Sequence, residues 1–249
     1  MTLVLSPSSL ASFRECHYRY YLHYVLGVEE ERSYQSVRGI AVHAAVEAFL
    51  KGRLSWEPIT VDEAVDIYHL VMGLELIGVD ATQAHPKYWV AGEKVVRGYL
   101  DIVGEPAYVE EPIATTANGV EIVMHPDHGD IFGVVHDLKV KDSKPQFIDA
   151  YADAMNTYAL GHRALTGSVE KDVQLDVMIA LKRDPPYMLP ISNGGPVSSY
   201  AIGKTVQRYM DAAEDIAAER FEPTGLEKPM ACRYCHVRNA CVYVNEETP

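Results

Sequence analysis

The four cysteines are the feature that most constrains how this chain of 249 residues can fold. Cys16 lies near the start, and the other three form the pattern Cys232-x2-Cys235-x5-Cys241 near the end. Three thiolates at one terminus and a fourth at the other can bind one metal centre, which would hold the two ends of the chain together. The residues suit either an iron–sulfur cluster or tetrahedral zinc. Zinc sites usually pair two close knuckles, whereas this chain has one distant and three local ligands, and both alternatives stay open at this point.

Composition and charge narrow the class of protein. The chain has no apolar run of about eighteen residues and no secretory signal at its start, so we expect an intracellular protein without a membrane span. The net charge of −13 argues against a nucleic-acid coat protein and predicts weak, salt-sensitive non-specific binding. A local basic path could still contact phosphates, and its candidates are Arg14, Arg19, Arg38, Lys139, Lys141 and Lys144.

The hydrophobic pattern predicts an α/β fold, with a mixed central sheet flanked by helices. We expect one domain over residues 1–249, in which residues 55–106 form a helical insertion and residues 107–221 form the α/β core. Asn118-Gly119 and His128-Gly129-Asp130 are typical of turns between the strands of an antiparallel meander. Further elements are a helix that starts at Ser6-Pro7, helices near 37–50, 147–165 and 199–221, and a strand near 173–181.

Two aspartates and a lysine predict a site for a divalent cation. Pro126-Asp127 closes one predicted strand, and Asp137 and Lys139 lie two apart on the next, so their side chains share a face. Asp137 follows an apolar run that we expect to be buried, where a carboxylate is costly unless it is paired or metal-bound. A bend would bring Asp127 beside Asp137, and the ion would then activate water for phosphodiester hydrolysis.

Two further groups could complete this cation site. The carbonyl of Leu138 and the imidazole of His43 are candidate ligands, and such a set suits Mn²⁺ or Mg²⁺. Lys139 would orient the attacking water or neutralise the charge that develops on the phosphate. Each piece also has a simpler interpretation, since Pro-Asp is usually a turn, Asp-x-Lys a surface face and a lone histidine structural. A rival triplet, Asp142-Ser143-Lys144, has no apolar strand leading into it.

Several motifs together resemble a known family. The segment from Leu5 to Leu22 resembles the opening of RecB-like nucleases of the PD-(D/E)XK superfamily. Gly39-Ile-Ala-Val-His43 matches their G-x3-H motif, and Pro126-Asp127 with Asp137-Leu138-Lys139 matches their core motif. The cysteine spacing is similar to that of CRISPR-associated exonucleases of the fourth Cas family and of AddB-type nuclease domains. In those proteins four cysteines hold a [4Fe-4S] cluster.

The resemblance implies a restriction-endonuclease-like core and a role for each matched residue. His43, Asp127, Asp137 and the Leu138 carbonyl would bind Mn²⁺ or Mg²⁺, and Lys139 would be the catalytic lysine. The family also carries Gln-x3-Tyr on the next helix, where Tyr158 matches the tyrosine but Ala154 replaces the glutamine. Cluster ligands would come from residues 1–27 and 225–249, and they are Cys16, Cys232, Cys235 and Cys241.

The function implied is that of a metal-dependent DNA exonuclease acting on single strands or DNA ends. The main alternative is a nuclease-fold binding module with little catalysis, which the missing glutamine and the acidic charge favour. A third reading is a zinc-bound scaffold with no nucleic-acid role. Expected partners are DNA and proteins of recombination or CRISPR adaptation. Strand polarity, exo or endo preference, DNA or RNA, and a host or viral pathway are not encoded in the motifs.

Overall fold

The computed structural model describes residues 3–77, 79, 86–145, 151–180, 186–224 and 229–245. The described strands are β1 (Leu3–Leu5), β2 (Pro106–Val109), β3 (Ile113–Ala117), β4 (Val120–Met124), β5 (His128–Asp130), β6 (Val134–Lys141), β7 (Asp172–Ile179) and β8 (Tyr187–Ser192). The described α-helices are α1 (Pro7–Glu15), α2 (His17–Tyr20), α3 (Tyr34–Leu54), α4 (Val61–Glu75), α5 (Pro86–Leu100), α6 (Ala152–Thr166), α7 (Ser199–Ala217), α8 (Pro229–Arg233) and α9 (Val242–Asn245).

The chain separates into two compact units. The first unit comprises Met1–Glu31, Ala114–Met124 and Ser199–Pro249, and the second comprises Arg32–Ile113 and His125–Ser198. Each unit contains a mixed sheet, so the α/β class and the mixed sheet predicted from the sequence are confirmed. The proposed division into an insertion, a catalytic core and a terminal cluster region stays a prediction. None of the described helices is long and apolar enough to cross a membrane.

The second unit is built on five strands in the order β2-β5-β6-β7-β8. Strands β6 and β7 are parallel, and the other neighbours are antiparallel. Helices α3, α4 and α5 share one core with this sheet, to which β6 contributes Leu138 and β7 contributes Met178. Leu175, Val177 and Ile179 form a second cluster, because alternate residues of β7 point to opposite faces. The predicted insertion therefore supplies α4 and α5 to the main core of the unit.

The turn before β6 lies later in the chain than predicted. His128-Gly129-Asp130, expected as a turn, forms strand β5, and the chain reverses at residues 131–133. The side chain of Asp130 accepts hydrogen bonds from the backbone N–H groups of Phe132 and Val134, at 2.9 and 2.8 Å. Gly133 has φ of +86°, which glycine adopts without a steric penalty. Ile131 and Phe132, expected in a buried strand, are consequently exposed.

The predicted single meander is also wrong, because two of its strands belong to another sheet. In the first unit the order is β1-β4-β3, and β4 pairs in parallel with β1. Asn118 and Gly119 both have positive φ, so the predicted two-residue turn between β3 and β4 is confirmed. Strand β1 was not predicted, since three residues are too few for an alternating pattern. Strand β8 was missed because Pro190 interrupts it, which only an edge strand tolerates.

The helix boundaries differ from the predicted ones at several points. Helix α1 starts as expected, with a capping box between Ser6 and Ser9 and with Pro7 in the first turn. It ends at Glu15, because the backbone of Cys16 is extended (φ −160°). A short α2 and a π-helical turn, Tyr21–Val25, follow. Helix α3 is longer than expected and α7 shorter. The start predicted for α6 and the end predicted for β7 fall partly in residues 146–150 and 181, outside the described residues.

A pair of stacked histidines fixes the register between β5 and β6. His128 and His136 face each other across the two strands, with ring centroids 4.5 Å apart and planes 2° from parallel. His136 is held by the carboxylates of Asp130 and Asp176, at 3.6 and 2.9 Å. His128 is 0 % exposed, and neither of its ring nitrogens has a hydrogen-bond partner among the described residues. Burial, with the charge of His136, lowers the pKa of His128 to about 4.

Replacing His128 with phenylalanine is expected to make the metal-free protein less sensitive to acid. The unfolded chain takes up a proton at this histidine near pH 6.5, whereas the folded chain does so only near pH 4. The free energy of unfolding therefore falls by up to about 3 kcal/mol as the pH drops from 6.5 to 4. Urea unfolding of His128→Phe and the wild type at pH 7.5 and 4.5 measures this loss. Equal losses for the two proteins would contradict the explanation.

Candidate active site

The pairing of β5 with β6 brings together the two aspartates singled out in the sequence. Because His128 lies opposite His136, the preceding Asp127 comes beside Asp137. One carboxylate oxygen of Asp127 accepts a short hydrogen bond from the backbone N–H of Leu138. The bend after β4 thus places Asp127 along the edge of β6, where β5 no longer pairs with it. The structure therefore agrees with the expected approach of these two residues.

Helix α3 contributes the imidazole to the same place. The Nδ1 atom of His43 lies 3.0 Å from the other carboxylate oxygen of Asp127. Val42 and Val46, on either side of His43 in the helix, are buried in the core shared with the sheet. This packing fixes the rotation of α3 about its axis and directs His43 to the aspartate. Its position at the edge of the apolar face, expected from the sequence, serves this contact.

Asp137 and Lys139 form an ion pair on one face of β6. The Nζ atom of Lys139 lies 2.7 and 2.8 Å from the two carboxylate oxygens of Asp137. Asp137 is only 3 % exposed, which agrees with the expectation that a carboxylate on this strand must be paired or metal-bound. Lys139 keeps partial access to solvent. An ammonium group that is held by one carboxylate and reaches solvent can also contact a substrate.

Glu110 is a potential ligand that the sequence analysis missed. Its carboxylate, a ring nitrogen of His43 and an oxygen of Asp127 lie within 4.8 Å of one another, a spacing that can hold one metal ion. Glu110 has φ of +47°, a strained conformation for a non-glycine residue, and its N–H donates to the carbonyl of Asp127 at 3.0 Å. A signal is present in the sequence, because Glu110 and Glu111 directly follow Val109, the buried end of β2.

The carboxyl groups of the site lie close enough to its other charged groups for their pKa values to shift. Burial alone would raise the pKa of Asp127, but His43 and Lys139 outweigh it and lower the pKa to about 2. Burial raises the pKa of Asp137, and the negative charge of Asp127 adds to the effect. The pKa of Glu110 rises to about 7 through burial and the same neighbouring charge. The site therefore holds more carboxyl groups than it can keep ionised without an added cation.

The two basic groups partly balance these carboxyls. Burial would lower the pKa of His43, but the charge of Asp127 and their hydrogen bond raise it overall. Burial likewise disfavours charged Lys139, yet Asp137 and Asp127 raise its pKa. Asp127 therefore favours a positive charge beside it, which either a protonated His43 or a metal cation can supply. A bound cation would compete with the proton on His43 and with the proton on Glu110.

The other residues singled out in the sequence have the following surroundings. Tyr158 is buried on α6, a helix that contacts β6 and β7, and its catalytic role stays a prediction. Asp142, from the rival triplet, pairs with Arg38 rather than with the cation site. The expected basic path is therefore less accessible than the sequence suggested, because Arg38 is buried and Arg19 pairs with Glu15 and Glu30.

In the first unit all four cysteines line one pocket of about 420 Å³. None of them forms a disulfide. Burial raises the pKa of the Cys232 and Cys235 thiols, and neighbouring cysteines add to the effect. Within the described part of the chain, no three of the cysteine sulfurs lie within 4.8 Å of one another. A tetrahedral zinc ion, with Zn–S bonds of about 2.3 Å, needs sulfurs about 3.8 Å apart.

Comparison with known proteins assigns the family. The sequence profile of the PD-(D/E)XK nuclease superfamily matches residues 4–242, so the chain belongs to this superfamily. Its members use divalent metals, and the cluster of His43, Glu110 and Asp127 is suited to one. No curated protein sequence matches the chain.

Two solved structures are similar to this one. The first is a protein from Eubacterium rectale that carries the provisional name exonuclease; it has a TM-score of 0.55 and 12% identity, over 100% of this chain and 89% of its own. The second is SSO0001, with a TM-score of 0.47 and 13% identity over 98% and 88% of the two chains. At such low identity the first structure supports the fold alone. The expected likeness to the Cas and AddB-type enzymes stays a prediction.

Proposed function

We propose that this member of the superfamily is an active, divalent-metal-dependent DNA nuclease. The observation that carries the proposal is the convergence of His43, Glu110 and Asp127 within 4.8 Å, beside the Asp137–Lys139 pair. Hard cations such as Mg²⁺ and Mn²⁺ prefer oxygen ligands, and Mn²⁺ also accepts imidazole. A binding module that had lost catalysis would have no need to keep two buried carboxylates and a lysine in this arrangement.

Each group of the site has a chemical task in this proposal. A divalent cation, when bound, supplies Lewis-acid stabilisation of the phosphate and lowers the pKa of a water molecule. His43, Glu110, Asp127 and Asp137 provide its ligands, with the Leu138 carbonyl as a further candidate. Lys139 remains charged because its pKa is raised, so it can stabilise the negative charge that develops on the phosphate oxygens. Tyr158 is proposed to position the substrate from α6.

We further propose that the enzyme acts on DNA ends or single strands, as an exonuclease. Support comes from the provisional name of the Eubacterium rectale protein and from the motifs that resemble RecB-like nucleases. Ala154, in place of the glutamine expected there, removes one amide that could contact the substrate. We therefore expect weaker substrate positioning, which raises KM more than it lowers kcat.

A digestion assay tests the nuclease proposal. End-labelled single-stranded DNA, duplex DNA and RNA are incubated with the protein in Mn²⁺, in Mg²⁺ or in EDTA. We expect cleavage of DNA in the two metals, no cleavage in EDTA, and progressive shortening from an end. Asp137→Asn should abolish cleavage and keep the melting temperature within a few degrees. Equal cleavage by Asp137→Asn and the wild type would reveal a contaminating nuclease and refute the proposal.

We propose that the cysteine pocket binds a [4Fe-4S] cluster. The pocket is lined by all four cysteines, none of them in a disulfide, and burial raises the pKa of the Cys232 and Cys235 thiols, so a bound cationic centre would offset the cost of bringing four thiolates together. A cubane cluster binds each sulfur to a different iron, so it holds the sulfurs farther apart than one zinc ion does. Among the described residues no three cysteine sulfurs lie within 4.8 Å of one another, which supports the cluster over a single zinc ion.

Cys232→Ala is expected to lose iron and to loosen the end of the chain. Contacts outside the pocket also hold this segment, among them the hydrogen bond from the Glu31 N–H to the His236 carbonyl at 2.8 Å and the packing of Tyr243 on Tyr18, so we expect loosening rather than complete release. Protein purified without oxygen should contain about four irons and four sulfides, and the variant should contain neither and be cut faster by protease near residue 230. Tyr234→Ala, an exposed neighbour, should keep its iron. Zinc without iron in the wild type would refute the cluster.

A further inference from the structure

Arg38 is a buried cation that leaves most of its hydrogen-bonding capacity unused. The residue is 0 % exposed, and its Nη2 atom donates to a carboxylate oxygen of Asp142 at 2.6 Å. Its Nε and Nη1 atoms have no hydrogen-bond partner among the residues that the structure describes. A guanidinium carries five N–H donors, and a buried donor without an acceptor is costly. The contact with Asp142 alone does not account for a charge at this position.

The surroundings of Arg38 strengthen its attraction for an anion. The aromatic ring of Tyr88 lies 5.5 Å from the guanidinium carbon, and Tyr68 lies close enough for the charge of Arg38 to lower its pKa against the effect of burial. Aromatic walls exclude water, and Coulomb attraction is stronger where water is excluded. The Asp142 side chain is 32 % exposed, so the carboxylate that pairs with Arg38 reaches solvent.

The Arg38–Asp142 pair lies near the cation site along two elements. Arg38 precedes His43 by five residues on α3, which corresponds to about 7.5 Å along the helix axis. Asp142 follows Lys139 by three residues at the end of β6, about 10 Å along the strand. The pair therefore lies on the same two elements as His43 and Lys139, displaced from them by about 7.5 to 10 Å along each element.

We propose that Arg38 binds a backbone phosphate of the substrate strand and that Asp142 occupies this position until the strand displaces it. The proposal rests on the nuclease function and adds a second contact to it, away from the scissile bond. A phosphate can accept two parallel hydrogen bonds from a guanidinium, which satisfies donors that Asp142 leaves free. Asp142 then turns outward into water, where its charge is well hydrated. Arg38 is a positioning residue in this scheme.

The two members of the pair give opposite predictions, which a purely structural ion pair does not. Arg38→Gln removes the phosphate contact, so the Kd for single-stranded DNA should rise at least tenfold. Asp142→Asn removes the competing charge and keeps the shape, so the Kd should fall at least threefold. For a structural ion pair, both substitutions would destabilise the fold and neither would tighten DNA binding.

The experiment measures fluorescence anisotropy of a labelled oligo-dT in EDTA, at several salt concentrations, with full-length protein. Arg38→Gln should also reduce the slope of log Kd against log salt by about 0.7, the value for one phosphate contact on a single strand. Arg97→Gln is the matched control, because Arg97 also pairs with carboxylates but lies on the exposed face of α5, and its Kd should not change. Melting curves establish that each variant is folded.

Asp142→Asn decides the proposal even if Arg38→Gln does not fold. An unchanged or higher Kd for folded Asp142→Asn would overturn it, and so would an unchanged Kd for folded Arg38→Gln. Failure of the nuclease function would look different: the wild type would not cleave DNA in Mn²⁺, whatever the two variants do to binding in EDTA. The binding and cleavage measurements therefore separate the two proposals.

Discussion

Replacing Lys139 with methionine is expected to lower kcat for metal-dependent DNA cleavage by about 10²- to 10³-fold. Methionine keeps most of the length and the apolar stem of the side chain but removes the ammonium group. That group lies within 2.8 Å of both carboxylate oxygens of Asp137 and reaches solvent. Its charge stabilises the transition state more than the bound substrate, so the loss falls mainly on kcat and little on KM.

Single-turnover cleavage at saturating Mn²⁺ measures this effect. Lys141→Met is the matched control, because Lys141 lies two residues further along β6 and therefore on the same face of the strand. Its kcat should stay close to that of the wild type. A loss for Lys139→Met that vanishes when the Mn²⁺ concentration is raised would assign the lysine to metal binding instead. A kcat equal to that of the wild type would remove Lys139 from the chemistry.

The second large effect is the dependence of metal affinity on pH. Glu110 has a pKa of about 7, and Asp127 raises the pKa of His43 above its usual value, so protons compete with a cation for both groups as the pH falls. Binding a cation through these groups releases the protons, and a lower pH therefore weakens binding. Between pH 8 and pH 6 the Kd for Mn²⁺ should rise about tenfold through Glu110, and the proton on His43 should add to this rise.

Titration calorimetry in two buffers of different ionisation enthalpy counts the protons released. Glu110→Gln keeps the shape of the side chain but cannot ionise, so it should bind Mn²⁺ more weakly at pH 8 and, at pH 6, release about one proton fewer than the wild type. A Kd that changes less than threefold over this range would show that the two groups do not act as ligands.

Asp137 could be singled out from the sequence because it places a charged group on a strand whose other residues are expected to be buried. A carboxylate after an apolar run is unusual, and Asp137 is indeed buried beside Asp127 and Lys139. His43 could also be singled out from the sequence, because it lies at the edge of the apolar face of a helix. The packing of that face directs its ring towards Asp127. In each case the local periodicity, two residues in a strand and three to four in a helix, determined where the side chain points.

The features that escaped prediction depend on contacts between distant segments. Glu110 became a candidate ligand only because its backbone turns to φ of +47° and its N–H bonds to Asp127. The chain reverses at residues 131–133 because the side chain of Asp130 accepts hydrogen bonds from the backbone there. From the sequence alone, Gly129 was the more obvious place for the turn. The parallel pairing of β1 with β4 joins segments more than a hundred residues apart. No local periodicity contains that information.

The most direct test of the cation site is to locate Mn²⁺ by anomalous diffraction in a crystal of the protein. We expect a peak within bonding distance of His43, Asp127 and Asp137, with Glu110 as a direct or water-mediated ligand, and no such peak in crystals of Asp127→Asn. A manganese peak on other residues, with none between these side chains, would contradict the proposed active site.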